Sequence, residues 1–93
     1  MINYSRQNVN SKDVKSVVET LKSPWLTSGP KIEEFQKKIS KITGSKYSVS
    51  TNSATSALHL SCLSLGLKKN DHLWTSSNTF VASANCGLYC GAK

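Results

Sequence analysis

Small hydroxyl and amide residues crowd two stretches of this chain, Ser50-Thr51-Asn52-Ser53-Ala54-Thr55-Ser56 and Ser76-Ser77-Asn78-Thr79. The first runs straight into Ala57-Leu58-His59-Leu60, so its hydroxyls sit where a strand turns into a helix. At such a junction the first-turn N–H groups lack carbonyl partners, and the positive end of the helix macrodipole gathers there. A phosphate suits that geometry. Asn and Ser also lead the N-cap preferences when no ligand is present, and neither a P-loop nor a G-x-G-x-x-G run accompanies the stretch. Spacing alone leaves both readings open, a plain cap being the commoner. The second stretch ends in Phe80, followed by Val81-Ala82-Ser83-Ala84-Asn85. It lies at the C-terminal end of a predicted strand, the edge at which open α/β sheets take ligands. Phe80 would offer a face to a planar ring there, or simply join the core.

The other reactive side chains offer less. His59 falls inside an apolar helical pattern and His72 at a strand start, with no Cys or carboxylate at zinc-ligand spacing, so no metal site is assigned. Three cysteines, Cys62, Cys86 and Cys90, make an odd count without a C-x-x-C; they read as reduced, small, buried hydrophobes. Glu33 and Glu34 fit first-turn charges that complement a helix dipole better than an acid/base pair.

Six elements would have to position these residues. Val14, Val17, Val18 and Leu21 fall on one face behind Asn10 and Ser11, with Asp13 in the first turn, which predicts a helix over 11–22 ended by Pro24. Trp25-Leu26-Thr27-Ser28-Gly29-Pro30 then form a loop whose two large apolar side chains call for a cover. Pro30 opens a second helix over 31–43, striped by Ile32, Phe35, Ile39 and Ile42 and stopped by Gly44. Period-two alternation predicts a short strand over 46–51. A third helix begins at 53 or 54, runs to 65 and ends at Gly66. The segment 68–71 is a turn, 72–76 a second strand, and 80–90 a fourth helix before Gly91. The order α-α-β-α-β-α is the grammar of an α/β fold on a parallel sheet. It is unfinished: the pattern calls for a further strand after the last helix, and two short strands do not make a stable sheet.

Composition bounds the rest. Ninety-three residues, 38% of them hydrophobic, make at most one small domain with a doubtful core of its own. No apolar run approaches membrane-spanning length, and the polar start lacks a signal-peptide core, so a cytoplasmic protein without a membrane anchor is expected. The net charge of +7 raises the alternative of a small basic module for nucleic acid or another polyanion. Against that reading, the lysines are scattered and Arg6 is the only arginine available for bidentate recognition.

Several blocks, taken together, are more specific than any one motif. Tyr4-Ser5-Arg6-Gln7, Thr27-Ser28-Gly29-Pro30 with Phe35, Asn52 to Leu60, Asn78 to Asn85 and Tyr89-Cys90-Gly91-Ala92-Lys93 resemble, in order and spacing, the N-terminal part of the DegT/StrS nucleotide-sugar aminotransferases. The likeness covers essentially the whole chain. It is nearest to members that aminate C4 of a UDP-linked 4-keto-6-deoxy-N-acetyl sugar on the way to pseudaminic acid.

The resemblance implies the N-terminal part of the large domain of a fold-type I aminotransferase, spanning 1–93 as one truncated segment with an incomplete sheet. It implies pyridoxal 5′-phosphate (PLP) as cofactor, an amino-acid donor such as glutamate, a UDP-sugar acceptor and a homodimeric complete enzyme. By position, Ala54 and Thr55 resemble the cradle of the cofactor phosphate, and Phe80 the aromatic stacked on the pyridine ring. Tyr4, Pro24, Trp25, Leu26, Thr27 and Ala54 resemble positions that touch the nucleotide sugar, which would account for two apolar residues in a loop. In the family, the Schiff-base lysine, the aspartate facing the pyridinium nitrogen and a serine of the phosphate site all lie beyond the equivalent of Lys93. None of the eleven lysines here sits in that lysine motif, so no catalytic residue is assigned and this segment alone is expected to be inactive.

Overall fold

Asn10 starts the first helix by satisfying two orphan amides at once. Its Oδ1 accepts from Lys12 N–H at 2.8 Å and Asp13 N–H at 3.3 Å, while Asp13 Oδ2 reaches back to the Asn10 N–H at 2.9 Å. That reciprocal box launches α1, Ser11–Leu21. Gly29 and Pro30 launch α2, Pro30–Thr43, with the proline in the first turn, where its missing N–H costs nothing. Gly44 stops it in the left-handed region at φ 72°. Ser53 caps α3, Ala54–Ser64, and α4 covers Ala82–Tyr89. The computed structural model describes residues 4–93, and over them the chain divides into two compact units that meet at Ser48 and Val49.

The N-terminal unit carries α1 and α2. The apolar stripe read from the sequence is on α1, but Val14, Val17 and Leu21 are all more than half exposed, and neither helix buries a residue. Exposed ion pairs line the polar face of α2, Lys31–Glu34 at 2.9 Å and Lys37–Glu33 at 3.5 Å. Beyond Gly44, the Ser48 hydroxyl meets those of Ser40 at 2.8 Å and Ser45 at 3.4 Å, tying the following chain to the end of α2.

The C-terminal unit packs α3 on α4. His59 meets Tyr89 edge to face across that contact, with ring centroids 5.3 Å apart. Gly87 lets Leu73 close on α4: a Cβ there would stand 2.9 Å from Leu73 Cδ2 and 3.0 Å from its Cβ. Among the described residues Cys62, Ala82, Cys86 and Ala92 are the buried apolar side chains, all of them small. Helices α3 and α4 both end in left-handed glycines, Gly66 at φ 75° and Gly91 at φ 78°. The chain then folds back with Leu67 N–H on Cys62 O and Ala92 N–H on Gly87 O, each at 3.0 Å.

The two expected strands do not form among the described residues: 46–51 and 72–76 carry no ladder. A helix closes its hydrogen bonds on itself, whereas a strand needs a second one beside it. One rung has a partner. Lys93 N–H donates to Asp71 O and Leu73 N–H to Lys93 O, both at 2.9 Å, the bond pair that sets His72 beside Lys93 in a parallel arrangement. The fourth helix is also shorter than its pattern, because Phe80 and Val81 precede it and Cys90 closes it.

Candidate functional site

The first turn of α3 is built by a relay of small polar side chains. Ser53 Oγ accepts the Ser56 N–H at 3.1 Å and lies 3.0 Å from Ser56 Oγ, which donates to Asn52 Oδ1 at 2.9 Å. Thr51 Oγ1 donates to Ser53 O at 2.8 Å. The relay shapes the turn and uses up one of its amides. Ala54 and Thr55 come next, at the first two helical positions, where the helix itself supplies no carbonyl for their N–H groups. Among the described residues the Thr55 hydroxyl, half-buried, makes no hydrogen bond. Ser53 and Asn52 thus serve the fold, and the Ala54 and Thr55 N–H groups stand next to that cap at the positive end of the helix. Those donors suit a phosphate monoester in number and charge.

Phe80 lies in the loop before α4 with three quarters of its surface exposed. Its carbonyl accepts the Ser83 N–H at 3.0 Å, and Thr79 Oγ1 meets Ser83 Oγ at 3.0 Å, so hydrogen bonds hold the backbone around it while the ring is left open. No hydrogen bond joins it to the first turn of α3 among the described residues.

The remaining sequence-derived positions belong to the N-terminal unit. Among the described residues Tyr4 is fully exposed, and Pro24, Trp25, Leu26 and Thr27 lie exposed between α1 and α2. The loop is nevertheless shaped. Ser23 Oγ bonds both the N–H and the carbonyl of Trp25, at 3.3 and 3.2 Å, and Ser28 takes a left-handed φ of 48°. Gly29 then passes so near that a Cβ on it would stand 2.9 Å from Trp25 Cβ and 3.0 Å from Trp25 O. The sequence marks Gly29 only as a loop residue before Pro30; its close approach to Trp25 depends on how the loop doubles back.

The neighbouring Lys31 ammonium, hydrogen-bonded to Glu34, holds that carboxyl below its usual range. Burial and the adjacent Cys86 and Cys90 thiols push the Cys62 thiol up. Among the described residues no group of three metal-ligating side chains comes together, and no helix is long and apolar enough to cross a membrane.

Known proteins match this chain from end to end. It is 43% identical over 93 residues to a UDP-4-amino-4,6-dideoxy-N-acetyl-beta-L-altrosamine transaminase of Campylobacter jejuni strain 81-176, covering all of this chain and 24% of that protein. It is 37% identical over 89 residues to the spore coat polysaccharide biosynthesis protein SpsC of Bacillus subtilis strain 168, covering 96% of this chain and 23% of that one. Its backbone follows a sugar aminotransferase of Streptococcus pneumoniae, Spr1654, in the PLP form, with a TM-score of 0.90 and 33% identity over 99% of this chain and 24% of that one. The PMP form of the same protein gives a TM-score of 0.89. The chain therefore spans about a quarter of the length of the curated relatives it matches. A family model matches residues 7–93, taking in both units and the first turn of α3, and with it the chain belongs to the DegT/DnrJ/EryC1/StrS aminotransferase family.

Proposed function

We propose that this chain is the N-terminal segment of a PLP-dependent nucleotide-sugar aminotransferase, both its units belonging to one aminotransferase domain of a homodimeric, cytoplasmic enzyme. The reaction is transfer of an amino group from an amino acid, glutamate being the expected donor, to C4 of a UDP-linked 4-keto-6-deoxy-N-acetyl sugar of the pseudaminic acid pathway. The observation that carries this reading is the first turn of α3, where two amides and an unsatisfied hydroxyl stand together in a chain of this family.

Each residue has a distinct task. Ala54 and Thr55 N–H and the Thr55 hydroxyl grip the cofactor phosphate, while the Ser53 cap holds the turn so that these donors point outward before the ligand arrives. Phe80 presents its open face to the flat pyridine ring, limiting its tilt. Bound there, PLP supplies the electron sink that amino transfer needs. Tyr4 and the loop from Pro24 to Thr27 contact the nucleotide sugar: Trp25 and Leu26 offer the apolar surface, and Gly29 sets the curvature of the loop that displays them. The segment itself contributes grip and positioning and is inactive alone.

The test is amino transfer by the polypeptide of the complete reading frame, with glutamate and the 4-keto sugar nucleotide as substrates and 2-oxoglutarate release as the readout. Turnover that falls on changing Thr55 or Phe80 is expected. Absence of turnover with any nucleotide-linked keto sugar would remove the reading.

A further inference from the structure

The helices that carry Phe80 and the first turn of α3 have to set the span between them. Phe80 belongs to the α4 end. Its carbonyl accepts the Ser83 N–H and Thr79 Oγ1 meets Ser83 Oγ, so its backbone moves with the first turn of α4. Ala54 and Thr55 are fixed to α3 by the Ser53 cap. What remains is the packing of α4 on α3. The residues that the two helices bury are small: Cys62 on α3, and Ala82, Cys86 and Gly87 on α4. Small residues let helices approach but leave few ridges to stop one from sliding or turning on the other. Helix α4 is also only 8 residues long, and no side chain caps its N-terminus. Two contacts of large side chains act against that freedom. Leu73 closes on Gly87, and Tyr89 meets His59 edge to face, with centroids 5.3 Å apart and ring planes at 64°. The second is the one that reaches α3, and it does so one turn beyond Thr55, on the helix face that Thr55 shares.

We infer that His59 and Tyr89 are positioning residues for the cofactor: their ring contact sets the span between the Ala54 and Thr55 cradle and Phe80, so that one pyridoxal phosphate meets both. The inference rests on the proposed reading of this site. The pair acts through the helices and needs no contact with the ligand. A helix carries a tilt along its length, and Tyr89 lies about 10 Å along α4 from Ala82. Loosening the contact therefore displaces Phe80 from the cradle, and misplacement by about 1 Å is enough to matter to a placed group. The cradle itself stays intact, because Asn52, Ser53 and Ser56 build it within one turn.

Two probes binding to the protein of the complete reading frame separate this role from a general loosening of the fold. Inorganic phosphate reads the cradle alone, whereas pyridoxine 5′-phosphate reads the cradle and Phe80 together. Tyr89→Ala should raise the Kd of pyridoxine 5′-phosphate roughly two- to tenfold, the worth of the Phe80 stacking then lost, and leave that of inorganic phosphate unchanged. Tyr89→Phe keeps the ring and should restore the unaltered Kd. His59→Leu breaks the contact from the other side and should reproduce Tyr89→Ala, which keeps the test decisive if the alanine variant does not fold. Combining Tyr89→Ala with Phe80→Ala should bind pyridoxine 5′-phosphate no worse than Phe80→Ala alone, since both remove the same stacking. Equal weakening of both probes, additive losses in the double variant, or an unchanged Kd in Tyr89→Ala and His59→Leu would overturn the inference while leaving the cofactor site standing. If the unaltered protein binds pyridoxine 5′-phosphate no more tightly than inorganic phosphate, the reading of the site itself fails and takes the inference with it.

Discussion

The division of labour in the first turn of α3 can be separated with two substitutions. Ser53→Ala removes the oxygen that accepts the Ser56 N–H and the hydroxyl beside Ser56 Oγ. Loss of such a cap costs about 1 kcal/mol, which lowers the Tm of a chain this size by about 4–8 °C. It removes no donor from Ala54 or Thr55. Thr55→Val keeps the branched shape and deletes only a hydroxyl that bonds to nothing among the described residues, so stability should change by less than about 0.5 kcal/mol. The valine variant does lose one hydrogen bond to a charged phosphate, worth about 1.5–3 kcal/mol, or roughly ten- to one-hundred-fold in Kd. Thermal unfolding by circular dichroism gives the first quantity. For the second, pyridoxine 5′-phosphate is the ligand of choice, since it lacks the aldehyde that would react with eleven lysines. Binding to the protein of the complete reading frame is compared with that of pyridoxine, which lacks the phosphate. Should Thr55→Val unfold the protein as Ser53→Ala does while leaving the affinity difference between the two ligands unchanged, Thr55 would be a structural residue and the cradle would not exist.

Three further outcomes are expected. Gly29→Ala should cost about 1–3 kcal/mol, since the new methyl meets Trp25 backbone and Cβ at 2.9–3.0 Å; the check is Tm together with a shift in Trp25 emission in a Trp74→Phe background, and an unchanged spectrum would show that the loop gives way freely. For Glu34 the folded carboxyl lies below its unfolded value, so its pairing with Lys31 favours the folded state above about pH 4.3 and is lost as the pH falls through the lower folded value. Replacing it by Gln should flatten that acid limb, the more so at low salt because the pair is half exposed. In hydrogen exchange, amides over 47–49 should exchange rapidly, with Leu73 N–H slower because it reaches Lys93 O; protection throughout 46–51 would mean that a strand pairs there after all.

What could be read beforehand was whatever the chain settles locally. Asn10 with Asp13, Pro30, Ser53, and the glycines at 44, 66 and 91 announce helix ends because each acts within a few residues of itself. The strands were a different matter. The alternation over 46–51 describes a surface fit for pairing, and pairing depends on a neighbour; among the described residues His72 finds one rung at Lys93 and the rest of 72–76 finds none. The candidate site shows the same split. The donors of Ala54 and Thr55 follow from a short polar run before an apolar one. Which hydroxyl caps and which stays free became visible only with the bonds among Asn52, Ser53 and Ser56. The meetings of Gly29 with Trp25, Gly87 with Leu73 and His59 with Tyr89 leave no periodic trace, being set by how loops and helices return on one another.

The shortage of large buried side chains also governs how copies of the segment behave toward each other. Trp74 is 93% exposed and Leu65 86%, and Val49, Ile42, Tyr47 and Phe80 are each at least three quarters open. Surface of that kind is adhesive in water. A charge of +7 opposes the adhesion by repelling like molecules, but its reach shrinks to about 8 Å at physiological ionic strength. The segment on its own is therefore a colloid held apart by charge, dispersed in dilute buffer and driven to clump by added salt until other protein surface takes up its oily faces.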